Sequence, residues 1–189
     1  EINSETDFVA KNQEFIKFAE EISQISLAAS GKIDNILKSK MKNEKKVEDN
    51  LVDLVSKIGE KITLRRSAFL GDDKLLNFSY THSAIKKNIG KLGVLLSIDT
   101  TKEKKDILNL GKQLAMQVAS SSPLAIEKEG LDPNILKKEK EIITEELKNS
   151  GKDIKIVEKI VLGKLNKFIG ENTLLNQEGI MEPKKKVRD

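Results

Sequence analysis

The first eleven residues, Glu-Ile-Asn-Ser-Glu-Thr-Asp-Phe-Val-Ala-Lys, constrain the fold most, because the hydrophobic period changes just after them. Ile2, Ser4 and Thr6 alternate with polar neighbours, which predicts a short, half-buried strand. From residue 15 to residue 29 the apolar positions recur every three or four residues, which predicts an amphipathic helix. Asp7 and Phe8 therefore lie at the corner between a strand and a helix.

An acid beside a large aromatic residue at such a corner has two interpretations. In the ordinary one, the acid complements the helix dipole for about 0.3–1 kcal/mol and the aromatic ring packs into the core. In the other, Asp7 and Phe8 are exposed and enter a partner. An isolated Asp-Phe pair usually has the first role, so the choice depends on the surrounding residues.

Composition limits the kinds of fold and partner. The chain has 189 residues, of which 38% are hydrophobic, which predicts one domain with an appendage or two small subdomains. With six Phe, one Tyr and no Trp, the core must consist mainly of Leu, Ile and Val. The 34 basic and 30 acidic residues are too evenly balanced to indicate a nucleic-acid-binding protein.

The residues that most catalytic and metal sites require are scarce. There is no Cys and only one His, which excludes disulfides, thiolate metal sites and most acid–base sets. Neither a P-loop nor a Rossmann glycine pattern is present, so we expect no enzyme, no cofactor and no metal. The sequence has no long apolar run and no signal pattern, which fits a cytoplasmic chain with no membrane partner. Because it begins at Glu rather than Met, we expect a piece of a longer protein.

The next part of the chain predicts a helix and three strands. Residues 38–48 are a polar loop or the polar start of a helix over 47–58, which Gly59 ends. Alternation over 62–70 predicts a half-buried strand closed by Gly71-Asp72-Asp73. Residues 76–85 and 92–98 predict an antiparallel hairpin, and one of its faces carries Phe78, Tyr80, His82 and Ala84.

The last part is helical. Thr100-Thr101-Lys102-Glu103 predicts a capping box before a helix that has small residues at 111, 115 and 119 and ends before Pro123. Residues 134–170 show two narrow apolar stripes around a break at 149–151, which predicts a projecting helical hairpin; two ordinary helices of a compact bundle remain the alternative. The basic tail, residues 183–188, is expected to be solvated.

Six segments resemble the elongation factor Ts family in order and spacing. These segments are residues 1–11, Val-Ser-Lys-Ile-Gly-Glu-Lys-Ile-Thr-Leu-Arg-Arg at 55–66, Tyr-Thr-His at 80–82, Leu-Gly-Val-Leu at 92–95, Leu-Ala-Met-Gln-Val-Ala at 114–119 and Met-Glu-Pro at 181–183.

The resemblance implies an α+β fold with two subdomains, small antiparallel sheets covered by helices, and a protruding antiparallel helical hairpin. The N-terminal core subdomain would span residues 1–98, the C-terminal core subdomain 99–133 and 171–189, and the hairpin 134–170. The family also has a small helical module that would precede Glu1, and a last strand and helix that would follow residue 183. Gln113 and Gln117 stand where many members carry His, which casts doubt on full exchange activity.

The resemblance also implies a function. Members are guanine-nucleotide exchange factors of the GTPase elongation factor Tu in translation elongation. In the family, the equivalent Phe enters an apolar pocket near the Mg²⁺ site and the equivalent Asp disturbs the groups around the metal. The residues that match GTPase-contact positions are Thr6, Asp7, Phe8, Val9, Ile58, Gly59 and His82.

Several alternatives remain open on the sequence alone. A lone His in a strand is ordinarily a half-buried packing residue, and Arg65 and Arg66 are surface charges or ion-pair partners. We expect elongation factor Tu as the partner and no direct contact with nucleic acid. A homodimer through the core remains open. The origin, bacterial or organellar, also remains open, and the length of the hairpin favours a bacterial one. The alternative function is a non-catalytic helical binding scaffold or a ribosome- or RNA-associated protein.

Overall fold

The computed structural model describes residues 1–72, 74–148 and 153–189. Over those ranges it has seven α-helices and two small antiparallel two-stranded sheets, which confirms the predicted α+β class. The chain divides into two compact units. The first unit comprises residues 1–77, 81–93 and 97–100, and the second unit comprises residues 78–80, 94–96 and 101–189.

The first unit begins with a short strand, four helices and a second short strand. These elements are β1 (Ile2–Asn3), α1 (Asp7–Ala10), α2 (Gln13–Ala28), α3 (Ile33–Lys38), α4 (Val47–Ile58) and β2 (Thr63–Leu64). The predicted helices α2 and α4 are confirmed, and Gly59 ends α4 in the left-handed conformation at φ 78°. The sequence analysis did not identify α3, whose buried residue is Ile36.

Both predicted strands near the N-terminus are shorter than expected. Ile2 pairs with Leu64 and Asn3 with Thr63, and no further pairs follow in this sheet. The strand predicted over 62–70 is therefore wrong beyond residue 64: the chain after Asn3 turns to start α1, so residues 65–70 have no strand to pair with. At the turn predicted for 71–73, the N–H of Leu75 donates to the carbonyl of Asp72 at 3.1 Å, and residue 73 lies outside the described residues.

The core of the first unit is formed by the inward faces of α1 to α4, by Met41 in the connection between α3 and α4, and by one residue beside β2. Ile36 and Val47 are completely buried there, which fits a core without large aromatic clusters. The buried members are Val9, Phe15, Phe18, Ile22, Ile36, Met41, Val47, Leu54 and Ile62.

The predicted hairpin is confirmed as β3 (Leu76–Lys86) and β4 (Ile89–Ile98), joined by two residues of which Asn88 is at φ 64°. Ser83 also has a positive φ, 49°, inside β3, an irregularity typical of a bulge. Gly90 of β4 lies close to the backbone of β3 at this point: a Cβ added to Gly90 would be only 2.5 Å from the carbonyl oxygen of His82. The predicted common face is therefore interrupted: Phe78 is buried, whereas His82 is exposed.

The second unit contains α5 (Lys104–Ser121), α6 (Pro133–Lys148) and α7 (Ile154–Asn172), with short 3₁₀ turns at Lys128–Gly130 and Leu174–Asn176. The predicted capping box is wrong, because α5 begins later and its N-cap is Glu103, which makes no side-chain cap hydrogen bond. The predicted end before Pro123 is confirmed, since Ser122 ends α5 at φ 45°.

Helices α6 and α7 pack against each other, with Ile143 and Val161 buried. An ion pair between Lys164 and Glu146, with Nζ and Oε2 2.8 Å apart, joins the two helices. The second predicted stripe begins with Ile154, at the start of α7, but this residue is 77% exposed. The break predicted at 149–151 lies outside the described residues.

The basic tail folds back on the segment before it, although its lysine side chains are exposed as predicted. The N–H of Gly179 donates to the carbonyl of Lys185 at 2.9 Å, and the N–H of Val187 donates to that of Gln177 at 3.0 Å. The tail is therefore part of the second unit rather than a loose extension.

Gly111 of α5 allows close approach of an aromatic ring, as the small-residue pattern predicts. The Phe78 ring lies where a side chain at 111 would be, with its Cδ1 2.4 Å from the position of an added Cβ. The ammonium group of Lys104 lies 5.4 Å from the centroid of the same ring, a favourable cation–π arrangement.

We predict opposite effects of two glycine-to-alanine substitutions in helices of the second unit. Gly111→Ala should lower the free energy of unfolding by about 1–3 kcal/mol, because it forces the buried Phe78 ring to move. Gly163→Ala of α7, where an added Cβ meets nothing within 4 Å, should raise it by about 0.5–1 kcal/mol. Urea denaturation of both variants provides the measurement, and equal effects would contradict the packing described for Phe78.

Candidate functional site

The corner between β1 and α2 is a separate one-turn helix, α1, rather than a direct junction. Thr6 is its N-cap, and the hydroxyl oxygen of Thr6 accepts from the N–H of Val9 at 3.4 Å. Asn12 caps the next helix in turn, its Oδ1 accepting from the N–H of Glu14 at 2.8 Å. Both starts follow from side chains that favour the N-cap position.

Within α1 the side chains divide sharply between core and solvent. Val9 is 5% exposed and packs in the core of the first unit, whereas the adjacent Phe8 is 87% exposed. Successive residues of a helix point about 100° apart, which allows Val9 to be buried while Phe8 lies in solvent. The ordinary interpretation of Phe8 as a core residue is therefore wrong.

Val9 was predicted among the partner contacts, and the structure places it differently from the other residues of α1. Because its side chain is buried, it anchors α1 against the core and offers almost no surface in this conformation. Thr6, Asp7 and Phe8 are exposed. They are therefore the residues of this segment that a partner can reach.

The end of α4 lies beside the start of α1. The hydroxyl of Thr6 donates to the carboxylate of Glu60, whose oxygens lie 2.9 and 3.0 Å from it. Glu60 follows Gly59, whose positive φ turns the chain away from α4. A Cβ added at residue 59 would meet nothing within 4 Å, so glycine is favoured there by the backbone conformation and not by a lack of room for a side chain. Ile58 is half-buried against the core, and Gly59 is exposed.

The hairpin reaches the same corner through Lys91 of β4. Its ammonium nitrogen lies 3.0 and 2.9 Å from the two carboxylate oxygens of Asp7. The hydrogen bond and charge of Lys91 lower the pKa of Asp7 below its usual value, so Asp7 is ionised at neutral pH. Gly90, next to Lys91, touches the backbone of His82, and thus the exposed His82 belongs to the hairpin segment that adjoins α1.

The contacts therefore bring together six of the seven predicted residues. Three short segments meet: the start of α1 with Thr6, Asp7 and Phe8; the end of α4 with Ile58 and Gly59; and the hairpin around His82. Glu60 and Lys91, which join these segments, were not predicted from the sequence. Glu60 lies inside the segment 55–66 that resembles the family, and Lys91 lies just before the segment 92–95. A single sequence does not show which residues Glu60 and Lys91 contact in the fold.

Two arginines that the sequence left open have structural roles. Glu1 accepts from Arg65 at 2.9 Å and also from Arg66, and the hydrogen bond of Arg65 is the main cause that lowers the pKa of the Glu1 carboxyl to about 2. These ion pairs extend the pairing of β1 with β2 beyond Leu64.

Gln117, one of the two glutamines that stand where many members of the family carry His, is 3% exposed in the second unit. Its amide nitrogen donates to the carbonyl of Glu178 at 3.2 Å, and its oxygen accepts from the N–H of Ile180 at 2.8 Å. Gln117 thus attaches the C-terminal segment to α5 and presents almost no surface to a partner.

No group of three or more His, Asp or Glu side chains among the described residues is arranged to hold a metal ion. Over the same residues, no helix is both long enough and apolar enough to cross a membrane.

Comparison with known proteins points to the same family as the six segments described in the sequence. The chain matches the family described as Elongation factor TS over residues 5–189. The chain belongs to the elongation factor Ts family. The predicted resemblance is confirmed, and all seven predicted contact residues and both joining residues lie in the first unit, within the part that matches the family.

Individual relatives are 36–40% identical to this chain over the aligned residues. Elongation factor Ts of Bartonella henselae is 40% identical over 184 residues, covering 97% of this chain and 60% of the relative. That of Nitrobacter hamburgensis is 38% identical over 187 residues, covering 99% and 61%. That of Caulobacter vibrioides is 36% identical over 187 residues, covering 99% and 60%. The chain thus spans about three fifths of the length of these relatives.

We predict that the Thr6 cap stabilises the corner. Thr6→Ala should lower the free energy of unfolding by about 1 kcal/mol, because the N–H of Val9 loses its acceptor and Glu60 loses its donor. Thr6→Ser keeps the hydroxyl and serves as the matched control, with an expected change near zero. If urea denaturation gives the same loss for both variants, the hydroxyl does not hold α1 in place.

Proposed function

We propose that this chain acts as a guanine-nucleotide exchange factor on the GTPase elongation factor Tu during translation elongation. The observation that carries the proposal is Phe8, 87% exposed on a one-turn helix whose next residue, Val9, is buried. An apolar ring held outward on a fixed element is the arrangement expected of an anchor that enters a pocket of a partner. Membership of the elongation factor Ts family supports the choice of partner.

The proposed mechanism follows from the charge and position of Asp7 and Phe8. A GTPase holds GDP through backbone N–H groups around the phosphates and through the charge of Mg²⁺. Phe8 enters an apolar pocket near that site, and the ionised Asp7 beside it disturbs the groups around the metal. Ile58, Gly59 and His82 contact the same GTPase domain and add binding surface around this pair.

In this proposal the chain has no catalytic residue, cofactor or metal of its own. It changes the affinity of another protein for its nucleotide, and that requires only a binding surface with different affinities for the nucleotide-bound and nucleotide-free GTPase. The exposed anchor and the charged neighbour on one rigid corner supply such a surface.

We predict that Phe8→Ala lowers the stimulated rate of GDP release roughly tenfold or more, since truncation of an anchor residue commonly has an effect of that size. The free energy of unfolding should change by less than about 0.5 kcal/mol, because the ring is exposed. Release of a fluorescent GDP analogue from elongation factor Tu gives the rate, and urea denaturation gives the stability.

Leu27→Ala is the matched control. Leu27 is a large apolar residue of the same unit, 66% exposed, and lies outside the predicted contact set. Its truncation should leave GDP release unchanged. If Phe8→Ala behaves like Leu27→Ala, the anchor assignment is wrong. If the unmutated chain does not accelerate release and binds RNA instead, the alternative scaffold function is supported.

A further inference from the structure

The ion pair between Asp7 and Lys91 joins two parts of the first unit that are distant in sequence. Asp7 is the first residue of α1 and Lys91 the third residue of β4, 84 positions later. The ammonium nitrogen of Lys91 lies 2.9 Å from Oδ2 and 3.0 Å from Oδ1, so it holds both oxygens at once.

Stability does not account for this contact. The two side chains are 54% and 67% exposed, and ion pairs exposed to this extent contribute little to folding because water screens them. Thr6 and Val9 already hold α1 by its cap and its buried residue. What Lys91 adds is a preferred direction for a side chain that would otherwise rotate freely in solvent.

The arrangement leaves the carboxylate able to act on a partner. An ionised carboxylate has about four acceptor positions, and one ammonium group bound to both oxygens occupies about two of them. The remaining positions are directed away from Lys91. Among the described residues, one other charge, that of Lys11 at the end of α1, also lowers the pKa of Asp7. Lys91 is therefore the main group that keeps the Asp7 carboxyl ionised.

We propose that Lys91 is a positioning residue for exchange: it holds the Asp7 carboxylate in one orientation beside the exposed Phe8, so that both reach the nucleotide site of the GTPase in a single arrangement. This inference rests on the proposed function. Lys91 acts through Asp7 and need not itself contact the nucleotide or the metal.

The test compares Lys91→Gln with Lys86→Gln, which is a closely matched control. Lys86 lies on the same hairpin, its side chain is 56% exposed, and its Nζ lies 2.5 Å from Oε1 of Glu20. Each substitution removes one positive charge and one exposed ion pair from the hairpin. Only Lys91→Gln removes the partner of Asp7.

Two readouts distinguish positioning from a general structural role. In an NMR titration, Lys91→Gln should raise the pKa of Asp7 toward its ordinary value, and Lys86→Gln should leave it unchanged. In the GDP-release assay, Lys91→Gln should lower the maximal stimulated rate roughly two- to fivefold, the factor expected for an exposed ion pair, and Lys91→Arg should restore it.

A double-mutant cycle shows whether the effect passes through Asp7. On the Asp7→Ala background, Lys91→Gln should have no further effect on GDP release, because the group it positions is gone. An undiminished effect on that background would overturn the proposal. Equal stimulated rates of GDP release for Lys91→Gln and Lys86→Gln, measured alongside an active wild-type chain, would also overturn the proposal. A wild-type chain that does not accelerate release overturns the proposed function, and this inference with it.

Discussion

Burial of Val9 is the constraint on which the candidate site depends. A helix of one turn is not stable by itself, because the first turn fixes several residues for a single hydrogen bond. Val9 packs with the residues of α2, α3 and α4, and this burial holds α1 in place. Adjacent helical side chains point in different directions, so Phe8 lies in solvent, 87% exposed, while Val9 is buried. The exposed aromatic residue is thus a consequence of the core rather than a failure to bury it.

The periodic parts of the fold were predictable from the sequence, and the parts that depend on pairing were not. Helices α2 and α4 and the hairpin have apolar residues at regular spacing, which local sequence records directly. The strand expected over 62–70 failed because strand length depends on a partner, and β1 offers only two residues. The capping box failed because Glu103, and not a Thr three residues earlier, occupies the N-cap of α5.

For the site, the sequence predicted the exposed pair and missed what fixes it. Asp7 and Phe8 stand out through the family resemblance, but Glu60 and Lys91 are ordinary charged residues in a chain rich in them. Their roles arise from contacts across 54 and 84 positions of sequence, which no local pattern encodes. The same reason applies to Gln117: its contacts with the segment 178–180 join positions more than 60 residues apart, and they give it a role within the fold.

Reciprocal binding distinguishes displacement of nucleotide, as proposed for this chain, from mere binding to the GTPase that carries it. If the chain weakens the affinity of elongation factor Tu for GDP by some factor, GDP must weaken the affinity of elongation factor Tu for the chain by the same factor. Titration of elongation factor Tu into the chain, with and without excess GDP and Mg²⁺, measures that factor. The account predicts much tighter binding without nucleotide, and a smaller difference when Asp7 and Phe8 are both replaced by Ala. Equal affinity under the two conditions for the unmutated chain would contradict it.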